Sequence, residues 1–461
     1  METVLSQRGQ KLIVVNKFKF YRVYVTQEGV RWRCVNKACK AKIYVDESET
    51  ILLREEEFHN HEAEKEDIQL RKAVSNKVKR KAVEDIYERP SKLIHSELKT
   101  NSQAISHIKT SDIYRIRKCI YNARRKQYPA LPKTNKEVHD ILETICVVTA
   151  KNEQFLLENN REHNIIIFSC PTNLKALCSS TSIYVDGTFN YCPKYFLQMF
   201  TIHILKNGHY IPLVFCLLPN KNKNTYLLAL QIIARKCVDI IQQNFYPKQV
   251  VADFEQGIHG AVYSMWKNVT IIGCKFHLGQ AWWRKIQSLG LSTEYKDTTS
   301  EIGKWLTYIF GLPLLDPEEV SDCFVFDLCS IQPNTSLKLN EFTDFLIENY
   351  ISEEARFPPH IWAANIASAE RTTNACESFH AHFNSQFYSS HPNIYVFLDV
   401  LKNIQTDVYI KLNSLDLPVS VNNKRYRMRL QYLNSLVNKY QSKEINRFDF
   451  VKCASFYFRK K

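Results

Sequence analysis

The chain has 461 residues, of which 45% are hydrophobic, and this is enough to build several packed domains rather than one small stapled module. A net charge of +15 points to an anionic partner, whether a polyphosphate or an anionic surface, and no run approaches the ~20 apolar residues of a membrane-spanning helix. Fourteen cysteines are too dilute for a disulfide scaffold, and Cys216, Cys237 and Cys329 sit in apolar runs as expected of reduced core thiols; with no signal-peptide core at its start, the chain reads as soluble and intracellular.

Between Lys11 and Val45, short runs rich in Val, Tyr and Phe, broken at Gly29 and at 46–49, predict a small β-rich module with too little core to stand alone. It carries Cys34 and Cys39, then His59 and His61. Alternate residues of an extended segment share a face, so both histidines can reach one ion, and the turn between the cysteines brings two thiolates to it. A Cys₂His₂ set suits tetrahedral zinc; the alternative is a buried thiol pair with two surface histidines. With Phe20, Tyr21 and Trp32 as further landmarks, residues 5–61 resemble a FLYWCH-type zinc finger. That resemblance implies structural Zn²⁺ and binding of DNA or protein through a β-surface.

After His61 the composition turns to Lys, Arg, Glu and Ala, and 66–130 reads as a basic helical region with helices over 66–87, 91–98 and 111–127. Ser91 and Ser111 are the expected N-caps. Arg71, Lys72, Lys77, Lys79, Arg80 and Lys81 crowd the first helix, and Arg115, Arg117, Lys118, Arg124, Arg125 and Lys126 the last. Two basic helices around a short one suggest a helix-turn-helix-like unit lying on a phosphate backbone; interleaved acids leave a solvated charged face as the other reading. The run 77–81 also has the composition of a nuclear localisation signal.

Further on, Asn164 to Phe168 reads as a strand and Thr172 as the cap of a helix. Three strands follow, the first ending at Asp186, the last two joined by Asn207-Gly208, which tolerate the positive φ of a tight hairpin. A helix over 225–241 precedes a strand ending at Asp253, and a last strand over 269–273 precedes a helix over 277–289. A carboxylate at a strand end needs a turn, a donor or a metal to satisfy it. Three antiparallel strands and then alternating helices and strands is the element order of a ribonuclease H-like fold. The fold class is therefore α+β multidomain: the finger, the basic helices, a ribonuclease H-like α/β core over 164–290, an all-helical insertion over 291–370, a return at 371–412 carrying Glu377, and a basic C-terminal tail over 413–461.

Four landmarks, Asp186-Gly187-Thr188-Phe189 with Pro193, Asp253-Phe254-Glu255, Gly273-Cys274-Lys275-Phe276-His277 with Gln280, and Thr372 to Glu377 followed by His380, resemble the core of a Mutator-like element (MULE) transposase. Thr373 departs from that pattern, which has asparagine there. The resemblance implies an Asp-Asp-Glu enzyme in which Asp186, Asp253 and Glu377 hold Mg²⁺ or Mn²⁺ for phosphodiester cleavage and strand transfer at transposon ends. The expected partners are double-stranded DNA and a second copy in a homodimer; the basic run 77–81 fits a nuclear location, and the lack of a long apolar run leaves no membrane attachment expected. Cys274 and His277 stand near that centre; packing or a zinc half-site competes with a catalytic role for them. Trp282 and Trp283 suit the core better than DNA stacking. The alternative function is a domesticated, transposase-derived DNA-binding protein that no longer cuts.

Overall fold

The computed structural model describes residues 1–6, 9–333, 337–364, 374–415 and 424–458, and the chain falls into two units, 1–131 and 132–461. In the first unit, alternation of apolar and polar residues produces six strands: β1 (Glu2–Leu5), β2 (Lys11–Val15), β3 (Phe18–Thr26), β4 (Gly29–Cys34), β5 (Lys42–Val45) and β6 (Leu52–Glu56). They form one antiparallel sheet in chain order. Val30, Trp32 and Cys34 of β4 point inward onto Ile13, Phe20, Ile43 and Val45, while Arg31 and Arg33 face out. Gly29 makes the β3–β4 turn at φ +119°, where a Cβ would lie 2.4 Å from the Val45 carbonyl oxygen.

Four helices complete the unit: α1 (Glu66–Glu84), α2 (Pro90–Thr100), α3 (Ser102–Ile105) and α4 (Thr110–Arg125). Val74, Val78, Ala82, Ile94, Ile116 and Ile120 recur at helical spacing and form their shared core. The expected caps are displaced. Pro90, with φ already helical, starts α2, so Arg89 takes the cap position and Ser91 lies inside. In α4 the Asp112 carboxylate reaches back to the Lys109 N–H at 3.1 Å, and Ser111 falls within the first turn.

The second unit opens with α5 (Asn135–Thr144) and β7 (Leu156–Asn160), neither foreseen, then β8 (Ile165–Phe168), α6 (Pro171–Cys178), β9 (Ser182–Thr188), β10 (Gln198–Lys206) and β11 (His209–Leu218). Thr172 does not cap α6; Pro171 starts that helix, and the Thr172 N–H and hydroxyl both donate to Glu153. Asn207 and Gly208 both adopt positive φ between β10 and β11, as the dipeptide requires. Then come α7 (Lys223–Lys236), ending in a π turn, β12 (Gln249–Ala252), α8 (Gln256–Met265), β13 (Thr270–Gly273) and α9 (Lys275–Ser288). The seven strands lie in the order β13-β12-β9-β10-β11-β8-β7. Strands β9, β10 and β11 form an antiparallel meander, whereas β12 and β13 run parallel to β9 on its other side.

The described residues from 292 to 362 contain no strand, only α10 (Ser292–Lys296), α11 (Glu301–Ile309), α12 (Pro317–Asp322), α13 (Leu337–Leu346) and α14 (Pro359–Trp362) with short 3₁₀ and π turns. Trp282 packs into their aromatic core against Phe310, Tyr350 and Trp362, and Trp283 stacks obliquely on Tyr295, so both serve packing. Next, α15 (Asn374–Ser385) and α16 (Ile394–Asn413) return to the sheet. Asn393 caps α16 by accepting the N–H groups of Tyr395 and Val396. The C-terminal stretch, of no evident fold in the sequence, forms α17 (Lys424–Gln441) and α18 (Arg447–Phe458). These helices pack on the helical segment, where Arg447 pairs with Asp327 at 2.6 Å and Phe450 and Val451 join the core of Leu306 and Phe324. Every cysteine among the described residues is a free thiol.

Candidate metal centre and active site

In the β-sheet module, Cys34 is the last inward residue of β4, and the turn that follows holds Cys39 beside it through a 2.9 Å hydrogen bond from the Cys39 N–H to the Asn36 carbonyl. Past β6, Phe18 stacks on the His59 ring at 3.5 Å, and the Asn60 amide donates to the Ala38 carbonyl at 3.0 Å, pinning the histidine segment to the cysteine turn. Cys34 Sγ lies 3.3 Å from His61 Nε2 and Cys39 Sγ lies 3.4 Å from His59 Nδ1; all four ligand atoms fall within 4.8 Å of one another. Tetrahedral Zn–S and Zn–N bonds imply S···N separations of about 3.5 Å, so the residues fit the ion. The Glu62 carbonyl, 2.9 Å from His61 Nδ1, accepts its proton and leaves Nε2 free to ligate. Burial, with His61 nearby, keeps His59 below its ordinary pKa, while burial pushes the Cys34 thiol up. Metal binding therefore expels thiol protons.

On the sheet of the second unit, Asp186 and Asp253 come together by register. Val251 of β12 lies opposite Tyr184 of β9, and each aspartate follows the paired residue of its own segment by two positions, which places both on one face. Cys274 follows Ile272, the partner of Val251, in the same way and extends the row. Tyr184, Val251 and Ile272 form a small apolar cluster on that face. Asp186 lies within β9, not at its end as expected, because the longer β10 continues the ladder through Gly187 and Thr188. Asp253 is the residue after β12.

The two carboxylates differ in their support. Burial alone would raise Asp186, but His380 Nδ1 at 3.2 Å from Oδ2, the charge of His277 and the Gly187 N–H at 2.8 Å from Oδ1 outweigh it and hold the group below its ordinary value. Asp253 is pushed up to about 7, first by burial, then by the charges of Glu255 and Asp186. Its Oδ1 is buried with no hydrogen-bond partner. A buried, orphaned carboxylate oxygen beside a second carboxylate is the donor set that a hard divalent cation satisfies. Glu255 itself is held by the Tyr226 hydroxyl at 2.7 Å and Lys221 at 2.9 Å. His277, in the first turn of α9, is driven toward the neutral form by burial, and its Nδ1 also lacks a partner. Glu377 belongs to α15, the helix of His380; its side chain lies outside the described residues, as do Thr372 and Thr373. Among the described residues, only the Cys34, Cys39, His59 and His61 group brings three or more ligand atoms together.

Residues 3–61 match the family model of the FLYWCH zinc finger domain, and residues 182–281 match that of the MULE transposase domain. The chain carries a FLYWCH finger followed by a MULE transposase domain. No curated protein matches it. The matched transposase span holds Asp186, Asp253, Cys274 and His277 and ends before Glu377.

Between the finger and the transposase domain, the basic residues divide by what they touch. Arg124 is buried at 2% exposure, its guanidinium donating to the carbonyls of Ala82, Asp85 and Glu88, so it locks α4 to the end of α1. Lys77 and Lys81 pair with Glu97, Arg71 with Asp112, and Lys72 with Glu64. Lys79 and Arg80 are half-buried on α1. Arg115, Arg117, Lys118, Arg125 and Lys126 are exposed on and just after α4. No described helix of the chain is long and apolar enough to cross a membrane. His380 and Glu255 were visible in the sequence only as landmarks of a resemblance. The signal that could have singled out His380 is its spacing of three from Glu377, which sets both on one helix face.

Proposed function

We propose that this protein is a Mutator-like DNA transposase whose Asp186, Asp253 and Glu377 hold Mg²⁺ or Mn²⁺ for phosphodiester cleavage and strand transfer at transposon ends. The observation that carries the reading is that Asp186 and Asp253 each stand two residues past the paired Tyr184 and Val251 of adjacent parallel strands, one carboxylate braced and the other buried without a partner for Oδ1. Divalent ions bound there supply a nucleophile at neutral pH and stabilise charge on the phosphorane and the leaving oxygen. Asp186 would offer a braced ligand, Asp253 a ligand whose proton a cation readily displaces near neutral pH, and Glu377 on α15 would supply the third carboxylate. An antiparallel meander with two parallel strands beside its first strand supports a ribonuclease H-like core. The finger and the exposed basic side of α4 bind double-stranded DNA, in the nucleus and as a homodimer.

The test is cleavage of duplex DNA bearing the element's terminal repeats. With Mn²⁺ the wild type cuts, and Asp186→Asn binds the same DNA without cutting. Cutting that persists in Asp186→Asn defeats the proposal. Mn²⁺ binding without cutting identifies a domesticated DNA-binding descendant instead.

A further inference from the structure

Behind Asp186 lies a run of buried polar groups that metal ligation does not use. Thr201 of β10 sits directly across from Asp186 in the ladder, and its hydroxyl donates to the Asp186 carbonyl oxygen at 3.1 Å. That donation spends the only proton of the hydroxyl, so its lone pairs must meet donors. Two imidazoles supply them: His380 Nε2 at 3.3 Å and His203 Nε2 at 2.8 Å. His203 is fully buried, stacked on Tyr210 and edge-on to Phe379, and burial keeps it neutral. Its Nδ1 is buried without a partner, so Thr201 is the one group the His203 ring is tied to by a hydrogen bond. His380 thus donates from both ring nitrogens, Nε2–H to Thr201 and Nδ1–H to Asp186 Oδ2 at 3.2 Å, and meets the carboxylate as an ion pair.

We infer that His380 is a positioning residue, braced through Thr201 by His203, that sets the Asp186 carboxylate for metal and docks α15 on the sheet. The consequence reaches past Asp186. Because His380 and Glu377 share α15 at a spacing of three, the contact that orients the first carboxylate also seats the helix backbone that carries the third. Outer partners of this kind hold ligand geometry, and their loss typically lowers metal affinity by about 10- to 100-fold. Thr201 is buried and hydroxylated for the same reason: a valine of equal shape there would leave Nε2 of both histidines without an acceptor.

This inference rests on the proposed metal site, and its test separates the two. Mn²⁺ binding to zinc-loaded, full-length protein is measured by electron paramagnetic resonance, with thermal melting recorded on the same samples. The wild type binds Mn²⁺ and Asp253→Asn does not. His380→Ala weakens binding by about 10- to 100-fold, while His380→Asn, whose amide N–H stands close to where imidazole Nδ1 does, recovers a large part of it. Thr201→Val weakens binding in the same direction with the ligands untouched. Should His380→Ala fail to fold, the pair His380→Asn and Thr201→Val decides the matter. Wild-type affinity in His380→Ala, or in Thr201→Val, overturns the inference while the metal site stands. A wild type that ignores Mn²⁺, or an Asp253→Asn variant that binds it as well as wild type, removes the site and this inference with it.

Discussion

The finger and the transposase sheet each gather metal-ligating side chains, and they do so in opposite ways. In the finger, four ligands from a short stretch close on one point, with every ligand atom within 4.8 Å of the others. Nothing is left open for a substrate, and the small sheet around them has a core of about a dozen residues. In the transposase domain, the proposed ligands Asp186 and Asp253 come from segments far apart in sequence, on a sheet that has a large core of its own. One of them, Asp253, is left electrostatically unsatisfied. A closed soft-ligand site that holds up its own fold and an open hard-ligand site held up by the fold are the two limits of what a metal does in a protein.

That contrast is broken most sharply by removing the finger's metal. Structural zinc in modules of this size is worth on the order of 10 kcal/mol of folding. Chelation or Cys34→Ser should therefore abolish the protease resistance of residues 3–61 and leave the melting of 132–461 unchanged. Retention of a protected finger in metal-free protein would contradict it.

The transposase site should behave in the reverse sense. Asp253→Asn removes a buried charge that the metal-free fold tolerates poorly, so it should abolish Mn²⁺-dependent cleavage and yet stabilise the metal-free protein at pH 7.5 by a few kcal/mol, since each unit of raised pKa is worth roughly 1.4 kcal/mol. Calorimetric melting of the two proteins in chelator checks this; a destabilised variant would show that the Asp253 carboxylate has a partner. The pH dependence follows with its own sign. The folded protein keeps the Asp253 proton up to about pH 7, whereas the unfolded chain releases it near the ordinary aspartate value. Metal-free wild type should thus lose stability relative to Asp253→Asn as pH rises from about 4 to 7, and Mn²⁺ affinity should climb over the same span. A difference that stays flat across this range would remove Asp253 as the titrating ligand.

Smaller effects separate the two kinds of arginine on α4. Arg124→Ala should cost about 3 kcal/mol of stability, because three carbonyls lose a charged donor in the interior. Arg117→Ala and Lys118→Ala should leave melting unchanged, and each should lower the salt slope of DNA binding by about 1 if it contacts a phosphate. Filter binding across a salt series reads this directly, and slopes equal to wild type would assign that face to solvent.

The same contrast explains what could be read from the sequence. Cys34, Cys39, His59 and His61 were legible because a local spacing alone makes them converge, and the strand alternation and the Asn207-Gly208 hairpin were legible for the same local reason. Asp186 and Asp253 stood out as carboxylates at or near strand ends, but their meeting depends on the parallel register of β9 and β12, which no local pattern encodes. Partners across long separations were hidden altogether. Thr201 and His380 are joined only by tertiary packing, and Arg124 looks like its neighbours on α4 until the helix core buries it. Helix starts shifted where Pro90 or Asp112 suited the first turn better than the adjacent serine.

The most direct test of the central claim is a crystal of the zinc-loaded protein soaked in Mn²⁺, with anomalous scattering used to locate the ion. The account predicts a peak between Asp186 and Asp253 with carboxylate oxygens at about 2.1 Å, Glu377 turned toward it, and no such peak in Asp253→Asn. A fully occupied zinc site in the finger together with no manganese at the two aspartates would contradict it.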